Sequence, residues 1–393
     1  MSMKLSDNFK INTFFWKIFA IWPGNQRNDY YKYYSFVYIL INLVIYNILL
    51  TLNLIFTPRK IEIFIREVIF YFTEVAVTVK VLMIIIYRKK IIAIFYLMNC
   101  DEFRGEDSDT VNIVKNDNLI YKVGWIIYAV ICNFAYTIIT FLPVLMNFIW
   151  NTKLELPICR YYFLNDDIRN DYFVYWFIYQ SFGIYGHMMY NVNVDTFIAG
   201  LILIAISQIK VLQFKLANLK MNATLKSQEE QEHLQILKLK KYLQHYDILL
   251  RYCSSVQEIL DVVIFVQFGM ASVIICVAMY GLLLTTTKER FVFMVFYFST
   301  MLSQIFIPSF LGTRLFYESE NLVFAAYNSE WIVRSEKFKL NLKLFMERAK
   351  SPIVLKGLKL FTLSLGAFTS IMKTAYSFLT LVKNVVDQQD EKI

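Results

Sequence analysis

Seven long apolar runs alternate with polar segments along this chain. Each run has the length of about 20 residues that an α-helix needs to cross a bilayer. The third and fourth exceed that length, so they must tilt or project beyond the membrane. The pattern predicts an all-α membrane protein with seven transmembrane helices. The runs lie at about 35–56, 68–87, 123–150, 172–206, 262–284, 291–312 and 360–382.

Two of the polar segments, 207–261 and 313–358, also show helical periodicity. In the first, Ile209, Leu212 and Leu216 form an apolar stripe. We expect both segments to form a layer of helices on the cytoplasmic side of the membrane. No Pro- or Gly-rich linker interrupts the chain, so residues 1–393 are predicted to form a single domain.

The last run carries a polar stripe along one helical face. Its members recur at steps of three and four residues, which places them on one side of a helix. They are Thr362, Gly366, Thr369, Lys373, Ser377, Thr380 and Asn384. Three explanations are open: helix packing through small hydroxyl residues, a water-filled pore, or a substrate pathway. The stripe alone does not decide among them.

Composition agrees with a multi-pass membrane protein, because 57% of the residues are hydrophobic and 18% are charged. The net charge of +9 is spread over the segments between runs, so no nucleic-acid partner is expected. Charges in residues 1–19 interrupt the apolar core that a cleaved signal peptide would need.

The cluster Arg88-Lys89-Lys90 directly follows the second run and favours a cytoplasmic N-terminus. With seven spans the C-terminus is then extracellular. The sequon Asn222-Ala223-Thr224 would face the cytoplasm and stay unmodified.

Motifs for catalysis or metal binding are absent from the sequence. The five cysteines show no metal or disulfide spacing, and the three histidines do not form HxxxH or HExxH. No Walker or GxGxxG motif occurs, so we expect no enzyme, cofactor or metal. The Asp/Glu-Arg-Tyr and Asn-Pro-x-x-Tyr motifs of rhodopsin-like receptors are also missing. No matched pair of Gly- or Pro-broken runs suggests a transporter.

Two charged residues lie inside the second run. Glu74 and Lys80 are six positions apart and therefore on different helix faces, so each needs another partner or water. Lys80 is expected to extend towards the cytoplasm. Glu74 either lines a cavity or pairs with another helix, Lys373 being one candidate. His187 is expected to be a polar residue on the inner face of the fourth helix.

Aromatic, methionine and hydroxyl side chains concentrate in the predicted outer halves of runs two, three, four and six. Such a lining suits a small, mainly apolar ligand, although plain hydrophobic packing is the alternative. The candidates are Phe70, Tyr71, Thr73, Glu74, Tyr136, Thr140, Tyr179, Phe182, Gly183, Met188, Phe293 and Tyr297.

The C-terminal part of the chain resembles the signature of insect odorant receptors. The matching elements occur in a fixed order: Ala326-Tyr327, Trp331, Pro352, Ile-Met-Lys-Thr-Ala-Tyr-Ser at 371–377, and Thr380-Leu381. The Thr-Tyr…Gln-Phe ending of the related gustatory receptors is absent. The resemblance implies the odorant-binding subunit of a heterotetrameric, odorant-gated, non-selective cation channel. Its expected partners are a small volatile organic ligand, the co-receptor subunit, the lipid bilayer and permeant cations, in the plasma membrane of olfactory sensory neurons.

The resemblance also assigns a pore to the seventh helix. It implies that four copies surround the ion path, with Ser377 and Thr380 along it. Leu381 and Val385 would form the apolar constriction with Asn384 beside them. Two functions of other classes stay open: a seven-helix receptor that signals through G proteins without conducting ions, and, third, a membrane transporter.

Overall fold

The computed structural model describes residues 4–23, 29–104, 107–219, 228–284 and 288–390. The described chain is built almost entirely of helices, with one two-stranded hairpin before the last of them. The helices are α1 (Lys10–Ile18), α2 (Asp29–Ile39), α3 (Tyr46–Phe56), α4 (Ile61–Ile86), α5 (Arg88–Met98), α6 (Ser108–Trp150), α7 (Asp166–Asp171), α8 (Phe173–Ala217), α9 (Gln228–Leu284), α10 (Lys288–Tyr327), α11 (Glu336–Ala349) and α12 (Leu365–Asp390). Short 3₁₀ segments at Leu5–Phe9 and Asp101–Phe103, a π-helical segment at Leu40–Ile45 and the strands β1 (Lys356–Gly357) and β2 (Phe361–Thr362) complete the described elements.

Within the described ranges, six helical stretches are long and apolar enough to cross a membrane. They are Asp29–Phe56, Glu67–Ile86, Ser108–Trp150, Phe173–Ala217, Glu229–Leu282 and Phe291–Tyr327. They coincide with the first six predicted runs, and four of them extend well beyond those runs. The prediction of an all-α membrane protein is therefore confirmed, and α12 takes the position of the seventh helix.

The predicted start of the seventh helix at residue 360 is wrong. Residues 361–362 pair with 356–357 in an antiparallel hairpin, and α12 begins at Leu365. Leu358 and Lys359 form its turn in the left-handed region, with φ of 45° and 59°. Ser364 caps the helix because its hydroxyl accepts a hydrogen bond from the Ala367 amide at 3.3 Å.

Helix α8 is the centre of the bundle and packs against α4, α6, α9 and α10. Every residue from 189 to 206 is buried except Ala199, which is partly buried. A helix surrounded by other helices can be apolar on all faces, which explains why hydrophobic residues occur on every side of the fourth run.

The segments predicted to form a layer outside the membrane are continuations of α8, α9 and α10 together with α11. Helix α11 packs on α9 and α10 through buried Phe338, Leu342 and Phe345. Its N-terminus is capped by Ser335, whose hydroxyl accepts from the Phe338 amide at 3.3 Å. The helical character of this layer follows the sequence pattern. The hairpin formed by residues 356–357 and 361–362 does not follow from that pattern.

Candidate ligand-binding site

A cavity lies between α4, α6, α8 and α10, with an empty volume of about 650 Å³ that includes the space at its opening. These are the four helices whose sequence runs carry the candidate ligand residues. The lining consists of Phe70, Thr73, Glu74, Cys132, Ala135, Tyr136, Ile139, Ile184, His187, Met188, Asn191, Phe293, Tyr297, Thr300, Met301 and Gln304.

Aromatic rings of α4 and α10 form one wall of the cavity. Phe70 stacks against Phe293 with ring centroids 6.2 Å apart, and Tyr297 lies 6.0 Å from Phe70. The hydroxyls of Tyr297 and Thr73 are 2.5 Å apart, and Thr73 also donates to the Ile69 carbonyl. This wall offers flat apolar surfaces to a ligand while its hydroxyls bond to each other and to the backbone.

Glu74 and His187 form a polar patch in the lining of the same cavity. The carboxylate Oε2 contacts His187 Nδ1, and His187 Nε2 contacts the Asn42 carbonyl oxygen. Both side chains are buried. The prediction that Glu74 lines a cavity or pairs across helices therefore holds in both forms, and its partner is His187 rather than Lys373.

Lys80 does not extend to the membrane surface, which corrects the sequence expectation. Its ammonium lies 2.6 Å from Asp195 Oδ1 and 2.9 Å from Asn191 Oδ1, and 1% of the side chain is exposed. Tyr128 donates to the second Asp195 oxygen at 3.1 Å. The ion pair joins α4 to α8 next to the cavity, since Asn191 also lines it.

The sequence analysis missed Asp195 as the partner of this lysine. A signal was present, because an aspartate in the middle of an apolar run needs an opposite charge inside a membrane. The matching lysine is on another helix, however, and only the packing of α8 against α4 identifies it.

Seven of the twelve candidate ligand residues line the cavity: Phe70, Thr73, Glu74, Tyr136, Met188, Phe293 and Tyr297. The other five lie elsewhere. Tyr71 packs in a cluster around Tyr46, which also fills the space over Gly183, and Tyr179 donates to the Ile41 carbonyl. Thr140 donates to the Tyr136 carbonyl, and Phe182 is 53% exposed.

The cavity also contains residues that the sequence analysis did not single out. They are Cys132, Ala135, Ile139, Ile184, Asn191, Thr300, Met301 and Gln304. Most are one helical turn from a predicted member. The predicted runs therefore surround the cavity, whereas the rotation of each helix about its axis was not predicted.

The polar stripe of α12 faces away from the bundle. Lys373, Ser377 and Thr380 are exposed, whereas Ala375 on the opposite face is fully buried against the core. Leu381 is 60% exposed. Asn384 and Val385 lie within α12, but their side chains are outside the described part of the chain, as is the sequon at 222–224.

Among the described residues no group of three or more His, Cys, Asp or Glu side chains is placed to hold a metal ion. A bundle of helices long and apolar enough to cross a membrane, with a cavity among four of them, is the architecture of a multi-pass membrane protein.

The chain belongs to the 7tm odorant receptor family, whose model matches residues 60–376. It is 25% identical over 320 residues to Odorant receptor 94a of Drosophila melanogaster, covering 80% of this chain and 79% of that one. It is also 25% identical over 190 residues to Odorant receptor 10 of Aedes albopictus, a stretch that spans half the length of that relative. The family is one of receptors rather than enzymes.

The fold is that of a solved insect olfactory receptor, OR5 from Machilis hrabei, determined in complex with eugenol. The TM-score is 0.83 at 19% sequence identity, and the match covers 97% of this chain and 98% of the other. A second structure of the same receptor matches with a TM-score of 0.82.

Proposed function

We propose that this chain is the odorant-binding subunit of a heterotetrameric, odorant-gated, non-selective cation channel that forms with the co-receptor subunit. The plasma membrane of olfactory sensory neurons is its proposed location. The observation that carries the proposal is the presence, in one chain, of a ligand-sized cavity and an outward-facing polar stripe on the last helix.

The cavity is the proposed binding site for a small volatile. Its walls are mainly aromatic and aliphatic, with a few polar groups, as is typical of pockets that bury a small organic molecule. The seven predicted residues that line it would contact the ligand directly. Thr140, Tyr179 and Gly183 would support the surrounding helices, since each contacts protein groups beside the cavity.

The stripe on α12 is the proposed wall of the ion path. Its described members on the helix, Gly366, Thr369, Lys373, Ser377 and Thr380, are exposed in the single chain, which favours a role between subunits over packing inside its own bundle. Four copies arranged around an axis would direct Ser377 and Thr380 to water. Leu381 and Val385, with Asn384 beside them, would form an apolar constriction that closes by dewetting.

Helix α10 connects the two sites. Phe293 and Tyr297 are part of the cavity wall. Further along the same helix, Phe306 packs against Phe368 of α12 with ring centroids 5.4 Å apart, and Thr313 accepts from the Leu365 amide at 2.8 Å. A ligand that binds better when α10 has moved would favour the open pore by that difference in affinity.

Recording currents from cells that lack odorant-linked G-protein signalling tests the proposal. Three preparations are compared: this chain with the co-receptor, this chain alone, and the co-receptor alone. A panel of volatiles is applied to each. We expect volatile-evoked cation currents that depend on this chain. Ligand-evoked second messengers without current would instead indicate a G-protein-coupled receptor, and saturable uptake without unitary currents a transporter.

A further inference from the structure

Glu74 places a hydrogen-bond acceptor in the cavity that no described protein group uses. Its side chain is buried, with 6% of the residue exposed, and it lines the cavity. Oxygen Oε2 is held by His187. Within the described part of the chain, no donor reaches the other oxygen, Oε1.

The contacts of His187 fix the charge of this pair. A carbonyl oxygen only accepts hydrogen bonds, so the Nε2 atom that contacts the Asn42 carbonyl carries a proton. Nδ1 lies against a carboxylate oxygen, and a second proton must lie between those two atoms for the contact to be attractive. Whichever atom holds that proton, the Glu74–His187 pair has no net charge.

The neighbouring ion pair is balanced as well. Lys80 and Asp195 carry opposite charges at 2.6 Å, and Asn191 and Tyr128 supply further hydrogen bonds to them. The cavity therefore has no unmatched charge to offer. A ligand with a full charge would be buried without a counter-ion, which is costly in an apolar environment. A carboxylate ligand would in addition face the acceptor Oε1.

We propose that the cavity selects neutral volatiles that carry a hydroxyl group, with that hydroxyl donating to Glu74 Oε1 and the hydrocarbon body packing against Phe70 and Phe293. The inference rests on the proposed function of the cavity as the ligand site. Glu74 is then the specificity-determining residue, and His187 is a positioning residue that holds the carboxylate in place. Ethers and hydrocarbons of the same shape lack the donor and leave Oε1 without a hydrogen bond.

The expected discrimination follows from the strength of such a bond. With the shared proton on His187, Oε1 belongs to a carboxylate, and hydrogen bonds to charged groups favour the bonded form by roughly 10- to 100-fold in affinity. An alcohol should therefore bind about that much more tightly than its methyl ether, although the ether is slightly larger and more apolar.

Matched pairs of ligands test the proposal. The probes are 2-phenylethanol and its methyl ether, 1-octanol and its methyl ether, and phenol and anisole, with phenylacetic acid and 2-phenylethylamine as charged members. Binding is read from the shift in melting temperature of the purified complex with the co-receptor, with the co-receptor alone as background. Gating is read from the currents of the same complex.

Two variants of Glu74 separate recognition from folding. Glu74→Leu removes the acceptor. Glu74→Gln keeps the size of the side chain and adds an amide NH₂ group that can donate a hydrogen bond to an ether oxygen. Both should bring the alcohol-to-ether ratio to within about threefold, the loss expected when the charged acceptor is removed. Thr57→Val is the matched control, because Thr57 is buried, does not line the cavity and donates to the Asn53 carbonyl of α3; it should keep the wild-type ratio.

The outcomes distinguish this inference from the function on which it rests. Equal potency of alcohols and ethers in the wild-type complex, or a preference for the acid or the amine, overturns the inference and leaves the ligand-gated channel intact. A preference for alcohols that survives both Glu74 variants also overturns it. Absence of binding and current with every probe, at normal surface abundance, counts against the proposed function itself.

Discussion

Lys80 can lie in the middle of an apolar helix because Asp195 of α8 supplies the opposite charge at 2.6 Å. Burying the two charges is costly, and their mutual attraction with the added hydrogen bonds offsets much of that cost. Removing one partner leaves the other charge buried without compensation, which is more destabilising than removing both. The pair thus ties the rotation of α4 to that of α8 beside the cavity.

Lys80→Met should destabilise the protein by about 3–5 kcal/mol, because Asp195 is left buried without its counter-ion. The melting temperature in detergent and the abundance at the cell surface measure the loss. The double variant Lys80→Met with Asp195→Leu removes both charges and should recover most of the stability. A single variant as stable as the wild type would show that the pair does not hold the two helices.

Gly312 of α10 is the point where the hairpin approaches closest. A Cβ atom there would lie 2.2 Å from the Leu363 carbonyl oxygen, so the backbone would have to move. Gly312→Ala should lower the melting temperature and surface abundance, with a cost of about 1–3 kcal/mol as for other overpacked positions. Gly269→Ala in α9 is the control, since a Cβ there meets no atom within 4 Å and alanine favours the helix. Equal effects of the two changes would contradict this account.

Among the helices, α12 is the one whose two faces differ most in what they contact. Phe368, Ile371, Met372 and Ala375 pack on the main core, while the polar stripe is left outside. The Ser364 cap and the hydrogen bond that the Leu365 amide donates to the Thr313 hydroxyl of α10 fix where the helix starts. This arrangement presents the stripe to whatever lies beside the chain.

If the stripe lines the ion path, a thiol on it should be reachable from water. In the complex with the co-receptor, Ser377→Cys should react with a charged methanethiosulfonate reagent, and the ligand-evoked current should change. Ala375→Cys places the same thiol on the buried face and should be unaffected. Modification of both positions, or of neither, would argue that the stripe is not the wall of a pore.

Leu381 tests the proposed constriction. Leu381→Ala shortens the side chains of the proposed apolar ring and so widens its opening. The wider opening favours hydration of the pore and should raise the basal current. The measurement is the current without ligand, normalised to surface abundance. Leu360→Ala changes another exposed leucine, in the turn of the hairpin, and should leave the basal current unchanged. A Leu381 variant with unaltered basal current and permeation would remove this residue from the gate.

On the scale of the whole molecule, the helices are longer than a bilayer is thick. α6, α8, α9 and α10 contain 43, 45, 57 and 40 residues, from two to almost three times the roughly 20 residues that cross the hydrocarbon core. The extensions of α9 and α10 pack with α11 into one helical body. We propose that this body is cytoplasmic, because the basic cluster at Arg88 follows α4 at the same end.

The orientation predicts which end of the chain antibodies can reach. In intact cells an epitope tag at the N-terminus should be labelled only after permeabilisation, whereas a tag at the C-terminus should be labelled directly. The surface abundance of each tagged form, measured after permeabilisation, serves as the control. The reverse labelling would place the helical layer outside the cell and contradict the proposed topology.

The sequence by itself determined the class of the protein, the number and approximate positions of its long helices, and the polar face of α12. These features depend on hydropathy and periodicity along one segment, and a membrane enforces both strictly. It also selected the four helices that surround the cavity, because aromatic and polar side chains are concentrated there. Phe70, Tyr136 and Tyr297 could be named from that pattern alone.

The tertiary structure decided what depends on neighbours distant in the chain. Helix rotation directs Phe293 into the cavity and leaves Phe182 outside it. Packing of α8 on α4 gives Lys80 and Glu74 their partners, which spacing within a single helix cannot reveal. The hairpin before α12 likewise depends on docking against Gly312, so a local apolar pattern alone predicted a helix there.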